Sequence, residues 1–311
     1  MSAQWTIHDW QLQDRATRSA LWKRAIYRIG RPVLDRVARR KLSPAALGRW
    51  QPEWVLGARG FPLEDRSHWA VQGTTLRDST LLVQGVGTGW EVPMWAELRP
   101  ARIIATDLFS FDASWEPIAR YCRDRYGVDV SFRQAALEEH RFLSDAAIDV
   151  SVSNAVLEHC RDLPAVLCES RRILKPGGVL FAAFGPLWYG PSGDHFSARA
   201  GLEHVYAHLA LDADAYRRFF LEHRQPREDF QSGGRYVELE LFSKLTADQY
   251  LAAFRSAGFS IRGLIAHLES LAFAFEHAFP DRWTALLERV AGKADADDLR
   301  LSALCVRMRA Q

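Results

Sequence analysis

The ten residues LLVQGVGTGW, Leu81 to Trp90, pass from apolar to glycine-rich, with Gly85, Gly87 and Gly89 at alternate positions. Glycine has no Cβ, so a strand that stops here can turn through positive φ and bring backbone N–H groups against a ligand. That is how a chain holds a nucleotide-type cofactor. Eighteen residues after Gly89, the apolar run Ile103-Ile104-Ala105-Thr106 ends on Asp107. A carboxylate in that place accepts hydrogen bonds from both hydroxyls of a ribose, which suits a dinucleotide or an adenosyl cofactor.

These residues need a frame that puts strand ends side by side. From about residue 79, short apolar runs alternate with helix-like runs, the pattern of a parallel sheet with helices on both faces. Strands are expected at 80–84, 102–107, 128–133, 148–153, 179–184 and 259–267, with an added edge strand at 301–308. Helices are expected at 90–98, 113–126, 162–174 and 247–257. Lys175-Pro176-Gly177-Gly178 and Ala257-Gly258 mark the stops after two of these helices. The expected fold is a Rossmann-like, doubly wound α/β sheet, seven-stranded and mostly parallel, with an antiparallel C-terminal edge. Residues 186–245 break the rhythm as a long helical insertion after the fifth strand, where such folds bind ligands.

The 311 residues, 48% hydrophobic and 25% charged, are those of an ordinary globular protein. No apolar run is long enough for a bilayer span or a signal peptide core, which predicts a cytoplasmic location. Four cysteines without a CxxC pair read as reduced thiols. The net charge of +2 hides an asymmetry: residues 1–60 carry twelve Lys/Arg against four Asp/Glu. Within them Trp22, Ile26, Ile29, Val33 and Val37 fall at helical spacing among arginines. Residues 1–70 are thus expected to be a basic helical extension on a domain spanning 71–311. Its bland role is a packed lid; its sharper one, over residues 15–41, is peripheral contact with the anionic inner face of a membrane. No nucleic-acid partner is expected, because no basic and aromatic alternation continues beyond it.

The glycine loop, Asp107, the segment AIDVSVSNAVLEH (147–159) and LKPGGVLF (174–181), in this order, resemble class I S-adenosylmethionine-dependent methyltransferases over about residues 75–270. The resemblance implies S-adenosylmethionine as cofactor and S-adenosylhomocysteine as its product. It further implies that Gly85, Gly87 and Gly89, with Gln84, wrap the methionine part, that Asp107 binds the ribose, that Leu108 and Leu137 lie beside the adenine, and that Asn154 and Ala155 face the methyl donor. Two positions depart from the pattern. Val83 stands where many members have an acid, and Ala135-Ala136 stand where many have one near the adenine. A binding protein that kept the fold and lost the chemistry is one rival reading. An NAD(P)-dependent oxidoreductase is another, although its G-x-G-x-x-G spacing is not met, since Gly89 comes one residue early.

Methyl transfer to a hydroxyl needs alignment, exclusion of water and removal of a proton. His195, beside Asp194 in the insertion, is the candidate base, with the carboxylate orienting the imidazole. His204 and His208 lie one helical turn apart and could join Asp194 around a metal, but no third ligand at helical spacing accompanies them, and no metal is expected. His159 reads as structural. Trp188 and Tyr189 could stack on an acceptor or cover the core. The run GPLWYGPSGDHFS is similar to a segment of bacterial methyltransferases linked to surface-glycan assembly. The acceptor is therefore expected to be a hydroxyl on a saccharide, glycolipid or other small metabolite.

Overall fold

A computed structural model describes residues 29–30, 32–33, 36–37, 39–50, 54–56, 63–226 and 233–311. Trp22 and Ile26 of the basic extension lie outside the described residues. Among the described residues eight strands form one sheet: β1 Trp54–Leu56, β2 Thr80–Gln84, β3 Arg102–Asp107, β4 Asp129–Gln134, β5 Ile148–Asn154, β6 Leu174–Phe184, β7 Phe259–Leu268 and β8 Leu301–Ala310. Their order across the sheet is β1-β7-β8-β6-β5-β2-β3-β4, and β8 runs antiparallel to both its neighbours. The other strand pairs are parallel.

The seven expected strands are present, and two details differ from the sequence reading. An eighth strand, β1, adds to the far side of β7, contributed by the extension. β8 is not at the edge; it is held between β6 and β7. β6 also starts earlier than expected. Leu174 pairs with Ile148, and a register shift lets Lys175 to Gly178 loop out before Val179 pairs with Val150.

Side chains alternate across the sheet and build two core layers. Leu82, Ile104, Leu180 and Ala182 pack into one, against the helices Leu163–Ile173 and Ala247–Ser256. Leu81, Val83, Ile103, Ala105, Val150, Val152 and Phe181 pack into the other, with Trp95 and Trp115. Burial on both faces explains why these strands read as continuous apolar runs instead of alternating ones. Val83 is fully buried in this second layer.

The chain reverses direction across the sheet at β2 and β5: β3 and β4 extend to one side, β6 to the other. Loops leaving the carboxyl ends of β2 and β5 part there and leave a crevice, the place where such sheets bind ligands. Leu42 and Ala46 of the extension are buried in the first core layer, and the Ser43 N–H donates to Asp297 at 3.2 Å. The C-terminal part of the extension is therefore built into the main body.

Candidate active site

At the carboxyl end of β2, Gly85, Gly87 and Gly89 all have positive φ, +67°, +52° and +85°. The N–H groups of Gly85 and Val86 both donate to the Thr106 carbonyl, at 2.7 and 3.1 Å, which ties the loop to the end of β3. A Cβ on Gly85 would lie 2.3 Å from Val156, so the segment after β5 rests directly on the loop. A Cβ on Gly87 would meet nothing within 4 Å and would project into open space. The Trp115 indole, stacked on Phe132 at 5.3 Å, donates to the Gly87 carbonyl at 2.8 Å and fixes the loop from behind. Sequence reasoning missed Trp115, since nothing local ties a helix residue to a loop 28 residues earlier.

Asp107 closes the other side. It accepts from the Gly87 N–H at 2.7 Å through one oxygen and from the Phe109 N–H at 2.9 Å through the other. Burial raises its pKa above the ordinary carboxylate value, against the backbone amides of Phe109, Gly87 and Leu108, which pull it down. Each carboxylate oxygen has two lone pairs, so a ribose diol can still be accepted. Leu108 is half exposed beside it, and Gln134 donates to its carbonyl at 2.9 Å. Leu137 is partly buried against the first core layer. The Gln84 side chain turns inward to Ser170 and offers the crevice no side-chain contact.

A buried carboxylate does stand in the crevice, though not at position 83. Glu91, two residues past Gly89 and 2% exposed, accepts from the Trp95 indole at 2.9 Å and from the Asn154 side-chain amide at the end of β5. Asn154 and Ala155 thus do sit beside the glycine loop, with Ala155 held at φ +53°. An open cradle at Gly87, a half-satisfied Asp107 and a buried acid over the loop fit an adenosyl cofactor with an amino-acid tail.

Beyond Ala155 the chain makes a short turn, Leu157–His159, and here the structure departs most from the sequence reading. Glu158, His159 and His195 each bring a ligand-capable atom within 4.8 Å of the other two. Glu158 Oε1 accepts from the Gly185 N–H at 2.8 Å, while Oε2 is buried without a partner. His159 Nδ1 donates to the Leu241 carbonyl at 2.8 Å, which leaves Nε2 as the lone-pair nitrogen, again buried and unpartnered. His195 Nε2 is in the same condition. Unpartnered buried polar atoms cost about 1–3 kcal/mol each, so one on each of three neighbouring residues is an unusual arrangement. Burial pushes Glu158 up to about 8 and His159 down to about 4. Burial, then the neighbouring His159, drives His195 down to about 3. Tyr236 stacks on His159 with centroids 3.8 Å apart, and Phe242 and Trp188 continue the aromatic wall.

The pairing of Asp194 with His195 is corrected by this geometry. Asp194 accepts from the N–H groups of Phe196 and Ser197 at 3.1 and 2.9 Å, from the Ser197 hydroxyl, and from the Tyr216 hydroxyl at 2.6 Å. Burial opposes its charge, but His208 and these hydrogen bonds outweigh it and hold the pKa below the ordinary value. It orders the insertion and makes no hydrogen bond to His195, which feels only its charge. His208 lies 3.8 Å from Asp194 and binds the Trp188 carbonyl at 2.7 Å, while His204 packs on Phe219. Tyr189 packs against a cluster that the insertion shares with the C-terminal helices, and Trp188 contacts His208, Phe242 and Lys244. A separate hollow of about 600 Å³, lined by Gln72, Arg262, Arg307 and Arg309, opens at the amino ends of the parallel strands, away from this crevice.

Residues 82–182 match the family model of a methyltransferase domain. A malonyl-[acyl-carrier protein] O-methyltransferase of Serratia marcescens is 35% identical over 146 residues, 45% of this chain and 51% of that one. One of the same name from Pectobacterium atrosepticum is 29% identical over 153 residues, 47% and 56% of the two chains. The chain spans about half the length of these curated relatives. Among solved structures, a geranyl diphosphate methyltransferase in complex with S-adenosylmethionine is 14% identical, with TM-score 0.49 over 80% of this chain and 86% of that chain. Residues 82–182 thus carry a methyltransferase domain, in accord with the resemblance of the chain's motifs to class I S-adenosylmethionine-dependent methyltransferases. The cofactor of that class is S-adenosylmethionine, and the crevice residues fit it.

Proposed function

We propose that this protein is an O-methyltransferase with its cofactor held between the glycine loop and Asp107. The observation that carries this is the clasp of Gly87 and Asp107 at the point where the sheet reverses. When bound, S-adenosylmethionine supplies a methyl group already activated by its sulfonium. Asp107 accepts the ribose hydroxyls, Leu108 and Leu137 border the adenine, and Gly85 and Gly89 shape the backbone around the methionine part. Glu91, anchored by Trp95 and Asn154, takes the place of the acid absent at Val83 and faces the ammonium. Asn154 and Ala155 line the methyl-donor region. The acceptor oxygen lies against Glu158, His159 and His195; burial keeps His195 unprotonated, and its Nε2 receives the proton as the oxygen gains the methyl group and turns acidic.

Oxygen as the methylated atom is supported by the naming of the relatives as O-methyltransferases. A saccharide or glycolipid as the acceptor body is supported by the aromatic wall of Tyr236, Phe242 and Trp188 beside the cluster. Peripheral membrane contact through residues 15–41 is supported by exposed Ile29, Val33 and Val37 at helical spacing in a basic segment. Among the described residues no helix is long and apolar enough to cross a membrane. We treat residues 71–311, with 186–245 as the acceptor-binding cap, as the catalytic unit.

Calorimetry with S-adenosylmethionine and S-adenosylhomocysteine tests the cofactor site, and absence of binding to the wild type would end the reading. A methylation assay on glycan, glycolipid and malonyl-carrier acceptors assigns the substrate. An unchanged rate in His195→Ala would remove that residue from the chemistry.

A further inference from the structure

We propose that Glu158, His159 and His195 form a site for a zinc-type divalent cation beside the methyl-donor region. The inference rests on the methyltransferase reading only for the purpose of the ion, which is to hold an oxygen of the acceptor. The site itself stands on geometry. Three ligand-capable atoms, one from each residue, lie within 4.8 Å of one another. On each residue a ligand atom is shut off from solvent and has no hydrogen-bond partner: Glu158 Oε2, His159 Nε2 and His195 Nε2.

The remaining atoms of two ligands are already fixed as a metal site requires. The Leu241 carbonyl takes the Nδ1 proton of His159 and so commits Nε2 to a lone pair, and the Gly185 N–H holds the other oxygen of Glu158. His195 is kept at φ +60°, and Gly233 packs so closely on it that a Cβ there would lie 2.1 Å from its carbonyl oxygen. Ligand-to-metal distances of about 2.0–2.2 Å need the three atoms roughly 3–3.5 Å apart, so a modest rotation of the side chains closes the site.

Two imidazoles and one carboxylate select a borderline cation such as Zn²⁺ over Mg²⁺ or Ca²⁺, which favour all-oxygen shells. Three protein ligands leave a coordination position for an exogenous oxygen. Glu158 lies two residues past Val156, which rests on Gly85, so that position adjoins the cofactor crevice. With the ion bound, His195 Nε2 is a ligand and not the base; the cation would lower the pKa of the acceptor hydroxyl it holds, and that proton would leave to solvent.

The test is metal uptake by the chelator-stripped, full-length protein, followed by calorimetric titration with ZnCl₂ and by visible spectroscopy of the Co²⁺-substituted form. The expected result is one equivalent of Zn²⁺ per chain and a Co²⁺ spectrum of a four- or five-coordinate, nitrogen-containing site. Glu158→Gln and His195→Ala should each weaken Zn²⁺ by about 100-fold or more, while His204→Ala, outside the cluster, leaves it unchanged. His159→Ala is avoided because it also removes the Tyr236 stack. Uptake below one equivalent by the wild type overturns the proposal. So does wild-type affinity in both Glu158→Gln and His195→Ala. S-adenosylhomocysteine binding is measured alongside. Zn²⁺ uptake without it keeps the cation site and overturns only its assignment to acceptor binding.

Discussion

Gly85 and Gly87 look alike in the sequence and differ in space. Gly85→Ala would push a methyl group to 2.3 Å from Val156 at φ +67°, so it should cost about 1–3 kcal/mol of stability. Val156→Ala in the same chain should recover part of that loss, read as the midpoint of urea unfolding. Gly87→Ala has room and meets only the positive φ, so stability should drop by about 1 kcal/mol. Its larger effect should be on S-adenosylhomocysteine affinity, because the new methyl group enters the cradle. Asp107→Ala removes charged hydrogen bonds of about 1.5–3 kcal/mol, a loss of roughly ten- to a hundred-fold in cofactor affinity by calorimetry. Glu91→Gln should weaken the same affinity while leaving the Asn154 contact in place, and unchanged binding would return Glu91 to a purely structural role.

At the scale of elements, the chain enters β8 through the short helix Ala296–Arg300, whose N-terminus is closed by a reciprocal cap between Asp295 and Asp298. Burial, then the neighbouring Asp295 charge, raises Asp298 from its ordinary 3.8 to about 6. A carboxyl whose folded pKa is raised favours the folded state while protonated. That contribution is complete below pH 3.8 and is lost as pH climbs through about 6. Asp298→Asn stays neutral and keeps an acceptor for the Asp295 N–H. It should therefore be more stable than the wild type by about 1 kcal/mol at pH 7.5, with the difference in melting temperature closing by pH 4. A constant difference across that range would refute the assignment to Asp298.

For the whole molecule, the question is where the independent unit begins. Leu42, Ala46 and β1 belong to the main body, whereas Ile29, Val33 and Val37 are 79%, 64% and 50% exposed. A chain beginning at residue 40 should keep the melting temperature and S-adenosylhomocysteine affinity of the full protein. It should lose co-sedimentation with anionic liposomes at low salt, and equal sedimentation of the two chains would remove the membrane proposal. Cutting before β8 should have the opposite outcome, since β8 is paired on both sides and its loss splits the sheet between β6 and β7.

The amino-acid sequence by itself determined what depends on local pattern. Apolar runs ending in glycines or an acid located β2, β3 and the crevice at their carboxyl ends, because a strand buried on both faces and a cofactor loop each leave a continuous signature. The resemblance of the motifs to a known family, not spacing, pointed to Asn154 and Ala155 beside that loop. Tertiary structure alone decided the rest. It put the buried carboxylate of Glu91 beside Asn154, while Val83 packs into a core layer. It gave Asp194 to Ser197 and Tyr216 instead of His195. It brought Glu158 and His159 against His195, more than thirty residues away, because the insertion folds back over the end of β5. No local periodicity records such a meeting; it exists only once the loops from two strand ends share one crevice.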